Sequence, residues 1–232
     1  METTVVLVHG AFADAGSWAA ATSRLQEAGL AVLAPANPLR DLEADAAYLV
    51  SILAGIDGPV LLAGHSYGGA VITNAALRSE SVAGLVYIAA FALDEGESLA
   101  DIGERFPAPL FAPALRPAGD GELVVDPGSF AAVFAADLHH AVTDVLAVSQ
   151  RPITRTALAG RCGPPAWKSL PSWYLIAEDD QAIRSDAQHY MAQRAAAHTA
   201  SVAASHAVTV SRPDAVAELI ITAVERIAAP AP

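Results

Sequence analysis

Pro59-Val60-Leu61-Leu62-Ala63-Gly64-His65-Ser66-Tyr67-Gly68-Gly69-Ala70 is the stretch on which the fold turns. Pro59 to Ala63 opens it as an unbroken apolar run, which suits a strand buried on both faces. Ala70 to Leu77 has the makeup of a helix. Between them Gly64-His65-Ser66-Tyr67-Gly68 fits G-x-S-x-G at a strand-to-helix junction. Glycines at both ends of so sharp a turn let neighbouring backbone pack without a Cβ between. The turn is expected to lift the Ser66 hydroxyl above the carboxyl edge of a sheet. It also aims the backbone N–H of Tyr67 toward any oxyanion formed there. The bare pattern occurs by chance; its setting and the extra Gly69 give it weight.

Outward from this junction the chain alternates. Upstream, the β-branched run Thr3 to Val8 predicts a strand, Ser17 to Ala28 a helix, Leu30 to Ala34 a strand and Leu42 to Leu53 a helix. Downstream, Val82 to Ala90 predicts a fourth strand. Strand–helix alternation resumes with a strand at Ser172 to Ala177 and a helix from Ser185 to Ala197. A weak strand, Ala200 to Ala204, and a closing helix from Pro213 to Ile227 follow, with Pro213 suited to a first-turn position. Such alternation gives a mostly parallel sheet of about six strands with helices on both faces. The interval 96–165, about 70 residues, is too long for a bare loop in a compact domain. It is expected to be a helical lid inserted after the fourth strand of a single domain spanning 1–232. Its clearest helical signal runs from Phe130 to Val148, where Phe130, Val133, Phe134, Leu138, Val142 and Leu146 recur near a period of 3.6.

Composition narrows the function classes. With 13 Lys and Arg against 25 Asp and Glu, the formal charge is −12. A surface so acidic repels phosphate backbones and anionic lipid heads, so neither nucleic acid nor membrane is an expected partner. The longest apolar stretches are too short to cross a bilayer, and no basic leader precedes an apolar segment at the N-terminus. The single cysteine, Cys162, fits a reducing compartment, and a cytoplasmic protein is expected, as monomer or homodimer. Lys168 is the sole lysine and reads as a surface residue, which leaves little room for Schiff-base chemistry.

A serine hydroxyl needs a base to take its proton. Of seven histidines, His9, His65, His139, His140, His189 and His198 read as packing or solvated residues. His206 alone follows the last weak strand and precedes the final helix, on a loop at the same sheet edge as Ser66. The acid that orients the imidazole should follow the strand Ser172 to Ala177, within Glu178-Asp179-Asp180. Asp180 is favoured, Asp179 comes second, and Asp94, after the fourth strand, is a third possibility. The order Ser, acid, His is one in which such triads occur. A second oxyanion donor should come from the loop His9-Gly10-Ala11-Phe12, from Ala11 or Phe12.

His9-Gly10-Ala11-Phe12-Ala13-Asp14-Ala15-Gly16-Ser17-Trp18, Gly64 to Gly69, Trp173 to Ile176 with Asp180 to Ile183, Ser205-His206-Ala207-Val208 and Gln150-Arg151-Pro152 together resemble small bacterial α/β-hydrolase-fold esterases. That family is related to plant methylesterases and hydroxynitrile lyases. The resemblance covers nearly the whole chain. It implies an α/β-hydrolase fold and a triad of Ser66, His206 and Asp180, with Ala11 and Tyr67 N–H groups as the oxyanion hole. It implies no cofactor and no metal. The family's usual N-terminal β-hairpin has no counterpart before the His-Gly strand, so a sheet about two strands smaller is expected. The lysine that lyases of this group carry after the catalytic histidine is Ala207 here, which disfavours cyanohydrin cleavage. The expected substrate is a small or medium apolar carboxylic ester, with Phe12, Phe91 and Phe134 as candidate pocket lining and core packing as their competing role. Thioesters, lactones and cofactor-free work on a carbonyl compound by His206 remain open, as does a non-catalytic receptor on this fold.

Overall fold

The structure is a computed structural model and describes residues 2–229. The first half runs β1 (Thr4–Val8), α1 (Ala19–Glu27), β2 (Ala31–Leu33), α2 (Leu42–Leu53), β3 (Val60–His65), α3 (Tyr67–Ala75) and β4 (Val82–Ile88). An inserted segment carries α4 (Leu99–Glu104), β5 (Leu115–Pro117), β6 (Glu122–Val125), α5 (Pro127–Phe134), α6 (His140–Val148), β7 (Ile153–Thr154) and α7 (Arg155–Ala159). The chain then closes with β8 (Ser172–Ala177), α8 (Ser185–Arg194), β9 (His198–Val202), α9 (Val208–Ser211) and α10 (Pro213–Ala228).

Six strands form the main sheet in the order β2-β1-β3-β4-β8-β9, every neighbouring pair parallel. This is the α/β-hydrolase fold, with helices on both faces of the sheet. Residues of the central strands alternate between two buried layers, as a parallel sheet requires. Val6, Val8, Leu62, Leu85, Tyr87 and Tyr174 face the layer that holds α2, α3 and α8. Val5, Leu7, Leu61, Val86, Trp173 and Leu175 face Trp18, Leu25, Val216 and Ile220 of the other layer. β1 pairs β2 on one side and β3 on the other, so strand order reverses between β1 and β3. A crevice opens at the carboxyl ends of strands flanking such a reversal. The loop after β1 and the turn after β3 both lie there.

Two hydrogen bonds close the base of the inserted segment: Gly96 N–H donates to the Cys162 carbonyl, and Cys162 N–H to that of Glu97, each at 2.8 Å. Arg194 of α8 grips the same point. Its guanidinium meets both Glu97 oxygens at 2.8 Å and the Ala92 carbonyl at 2.8 Å. Between these ends lies more than helices: β5, β6 and β7 form a small antiparallel sheet, order β5-β6-β7. The helix expected across Phe130 to Val148 is two helices, interrupted at residues 135–139. Among the described residues no helix is long and apolar enough to cross a membrane.

Candidate active site

Ser66 sits at φ 54°, ψ −123°, between β3 and α3. A non-glycine residue there costs about 1–3 kcal/mol and persists only where its surroundings over-determine it. They do so here. The Ser66 carbonyl accepts from Gly69 N–H at 3.0 Å and from Phe91 N–H at 3.1 Å. At Gly68 a Cβ would lie 2.2 Å from the Val8 carbonyl oxygen, so only glycine lets α3 start this close to β1. Gly10 brings the loop after β1 equally near, since its Cβ would stand 2.6 Å from that of Ser66.

Three side chains from three loops form one hydrogen-bonded chain. His206 Nε2 lies 2.9 Å from Ser66 Oγ, and His206 Nδ1 lies 2.7 Å from Asp180 Oδ2. A carboxylate can only accept, so Nδ1 carries the proton and Nε2 offers its lone pair to the serine hydroxyl. All three are buried. Asp180 Oδ1 accepts from the N–H groups of Ala182 and Ile183, and Oδ2 also accepts from Gln188 Nε2 at 2.8 Å. Asp179 is exposed. Asp94 is held by Lys168, whose hydrogen bond is the main cause of its lowered pKa. Asp180 is therefore the carboxylate that meets His206.

His65, which the sequence reads as a packing or solvated residue, is buried against His206. Its Nε2–H donates to the His206 carbonyl at 2.9 Å, and the two rings lie 4.8 Å apart. Burial, with the neighbouring His206 second, pushes the pKa of His65 well down and keeps it neutral. His9 is buried too, and burial lowers its pKa. Its Nε2 accepts from Asn37 N–H at 2.8 Å, which leaves Nδ1 to donate to the Gly10 carbonyl. His189 pairs with Glu178 on the surface.

In the loop after β1, Phe12 has φ 61° and its N–H is taken by the Arg151 carbonyl at 3.1 Å. Among the described residues no protein acceptor takes the N–H of Ala11 or of Tyr67. Both residues border the same cavity as Ser66 and His206. The Tyr67 hydroxyl points away, donating to buried Asp45 Oδ2 at 2.8 Å. Burial raises the pKa of both groups, and Asp45 pushes that of Tyr67 further. Two signals for such partners lie in the sequence. Asp45 shares a helix face with Leu42, Ala46 and Leu49, and Gln188 one with Ala187 and Met191, where periodicity calls for apolar residues.

The cavity above Ser66 has a volume of about 320 Å³. Phe12, Phe91 and Phe134 line it, as do Phe106 and Phe111, which the sequence reading does not pick. The sixth phenylalanine, Phe130, stacks on Phe134 with centroids 4.9 Å apart. Among the described residues that line it, Arg184 is, apart from Ser66, His206 and Tyr67, the one with a polar side chain, and it is paired with Asp186 at 3.0 Å. The arrangement suits attack by a serine on an uncharged carbonyl compound with apolar flanks. Among the described residues no group of three or more His, Cys, Asp or Glu is placed to hold a metal ion.

Comparison with known proteins gives a family and several relatives in fold. The sequence pattern of the alpha/beta hydrolase family matches residues 5–219. An alpha/beta hydrolase, nvfD, from Aspergillus novofumigatus (strain IBT 16806) is 31% identical over 175 residues, 69% of this chain and 68% of its own. A pyrethroid hydrolase from Sphingobium faniae JZ-2 superposes with a TM-score of 0.82 at 23% identity, covering 97% of this chain and 98% of its own. A methylesterase from Arabidopsis gives 0.76 at 20% identity, over 97% and 99%. At these identities the two structures speak for the fold.

Proposed function

The chain belongs to the alpha/beta hydrolase family, and on that premise we propose that it hydrolyses uncharged, apolar carboxylic esters through an acyl-enzyme on Ser66. The observation that carries this reading is the unbroken chain Asp180–His206–Ser66 opening onto an apolar cavity. Ser66 Oγ attacks the ester carbonyl while His206 Nε2 takes its proton. Asp180 holds the imidazole in the tautomer that can do so and stabilises the imidazolium. The N–H groups of Ala11 and Tyr67 receive the oxyanion, and paired donors of this kind contribute a few kcal/mol each to the transition state. His206 then protonates the leaving alcohol. A water, deprotonated by His206, attacks the acyl carbonyl and releases the acid and Ser66.

The inserted segment is the lid of this site, since Leu99, Phe106, Phe111 and Phe134 come from it and wall the cavity. A cavity of this size sits at the lower end of ligand pockets, which favours substrates of modest bulk. The test is hydrolysis of short- and medium-chain p-nitrophenyl esters, with fluorophosphonate labelling, by wild type and Ser66→Ala. Labelling and turnover are expected in wild type and both should vanish in the variant. Folded wild-type protein that neither labels nor turns over would overturn the reading.

A further inference from the structure

The loop that carries His206 belongs to neither a strand nor a helix, yet each of residues 205, 206 and 207 is tied down. Ser205 Oγ donates to Asp137 Oδ1 at 2.5 Å. The His206 carbonyl accepts from His65 Nε2–H at 2.9 Å, and Ala207 N–H donates to the Phe134 carbonyl at 2.9 Å. The Phe134 and His206 rings form a T-shaped pair, centroids 4.8 Å apart and planes at 82°. Asp137 is itself held by Arg212, at 3.4 Å. Two of the three ties therefore come from residues 134–137, the turn that ends α5 in the inserted segment.

We propose that Asp137 and Ser205 are positioning residues that dock the inserted segment onto the backbone of His206 and so hold the imidazole in line with Ser66. This rests on the reading of His206 as the base. Asp180 grips the ring at one atom, Nδ1, about which the imidazole can still rock. The ties on either side of residue 206 remove that freedom. The demand is strict, because misplacing a reacting group by about 1 Å can cost about a hundredfold in rate. The same turn carries Phe134 into the cavity wall. Neither Asp137 nor Ser205 borders the cavity, so cutting their bond disturbs the chemical step rather than substrate capture.

The experiment compares Ser205→Ala, Asp137→Ala, Asp137→Asn and the double variant S205A/D137A on a p-nitrophenyl ester, with Ser66→Ala and His206→Ala as controls. Rates of the Ser205 and Asp137 variants are expressed per active site titrated with a fluorophosphonate, and those of the two controls per mole of folded protein, all below the melting temperature of each variant. Ser205→Ala and Asp137→Ala should each lower kcat by about tenfold or more with KM nearly unchanged. The amide oxygen of Asp137→Asn still accepts from Ser205, so that variant should keep most of kcat although its ion pair with Arg212 is gone. The double variant should be no worse than the poorer single, as expected for two ends of one link. Wild-type kcat per site in Ser205→Ala and Asp137→Ala, with His206→Ala inactive, overturns the positioning role and leaves the base assignment standing. Activity retained by His206→Ala overturns both. Asp137→Asn as impaired as Asp137→Ala overturns the Ser205 link in favour of Arg212.

Discussion

The carboxylate of Asp180 accepts from the Ala182 and Ile183 N–H groups, from Gln188 and from His206, so both of its oxygens are committed. Asp180→Asn would keep one oxygen for the two backbone donors and turn its NH₂ toward Gln188 and His206. The imidazole would then carry its proton on Nε2, facing Ser66, where it cannot act as a base. A fall in kcat of about 10³–10⁴ with little change in KM is expected from steady-state kinetics, and a loss under tenfold would refute the orienting role. At this scale the sequence is legible where chemistry demands a residue type in a fixed turn, as at Ser66, and less so where burial decides. Glu178, Asp179 and Asp180 are equivalent letters in a row. What separates them is that the first two face solvent while Asp180 turns inward under α8. His65 is harder still, because a histidine at a strand end carries no sign of which ring it will lie against.

Elements are legible in proportion to how far one face or core dictates them. α2 and β8 run over the residues their periodicity predicts, and both are packed in the core. β9 is an edge strand, largely exposed, and lies two residues earlier than its expected place. With no buried face to select its register, the pattern had little to say. The 3.6-residue rhythm from Phe130 to Val148 passes through a break that no Gly or Pro announces. Ala135 leaves the helix at φ −140°, ψ 42°, while Phe134 and Asp137 bond to the His206 loop. The Phe134 carbonyl thus takes the Ala207 N–H in place of an intrahelical donor. The junction of the inserted segment with α8 makes a prediction on pH. Burial would raise the pKa of Glu97, but the hydrogen bond and charge of Arg194, helped by Asp94 N–H and Arg105, outweigh it and the net shift is downward. A depressed carboxyl contributes stability that is present above the ordinary glutamate value of 4.5 and is lost as pH falls through the folded value. The gap in melting temperature between wild type and Glu97→Gln should therefore be steady near neutrality and shrink in acid. A gap that does not change with pH would contradict this.

For the whole molecule, alternation of strand and helix announced a parallel sheet, but not which strand lies beside which. That order depends on contacts between distant segments, and it is what places the loop after β1 beside Ser66. The small sheet of the inserted segment was equally hidden, since strands of two to four residues are too short to display a period of two. Net charge acts at this scale as well. At −12 the net field of the molecule repels anions. kcat/KM for an ester bearing a carboxylate should rise as salt is added and the Debye length shrinks to about 10 Å near 0.1 M, while that of a neutral analogue stays flat. Equal slopes for the two would show that the field does not reach the mouth. The distribution of phenylalanine has a last consequence of a practical kind. All six either border the cavity or stack on a residue that does, and none is spent elsewhere in the chain. Biosynthetic replacement by fluorophenylalanine would therefore seed fluorine in and just behind the lining of one cavity. Its spectrum would be a six-line readout of what the cavity holds, with no background from the rest of the fold.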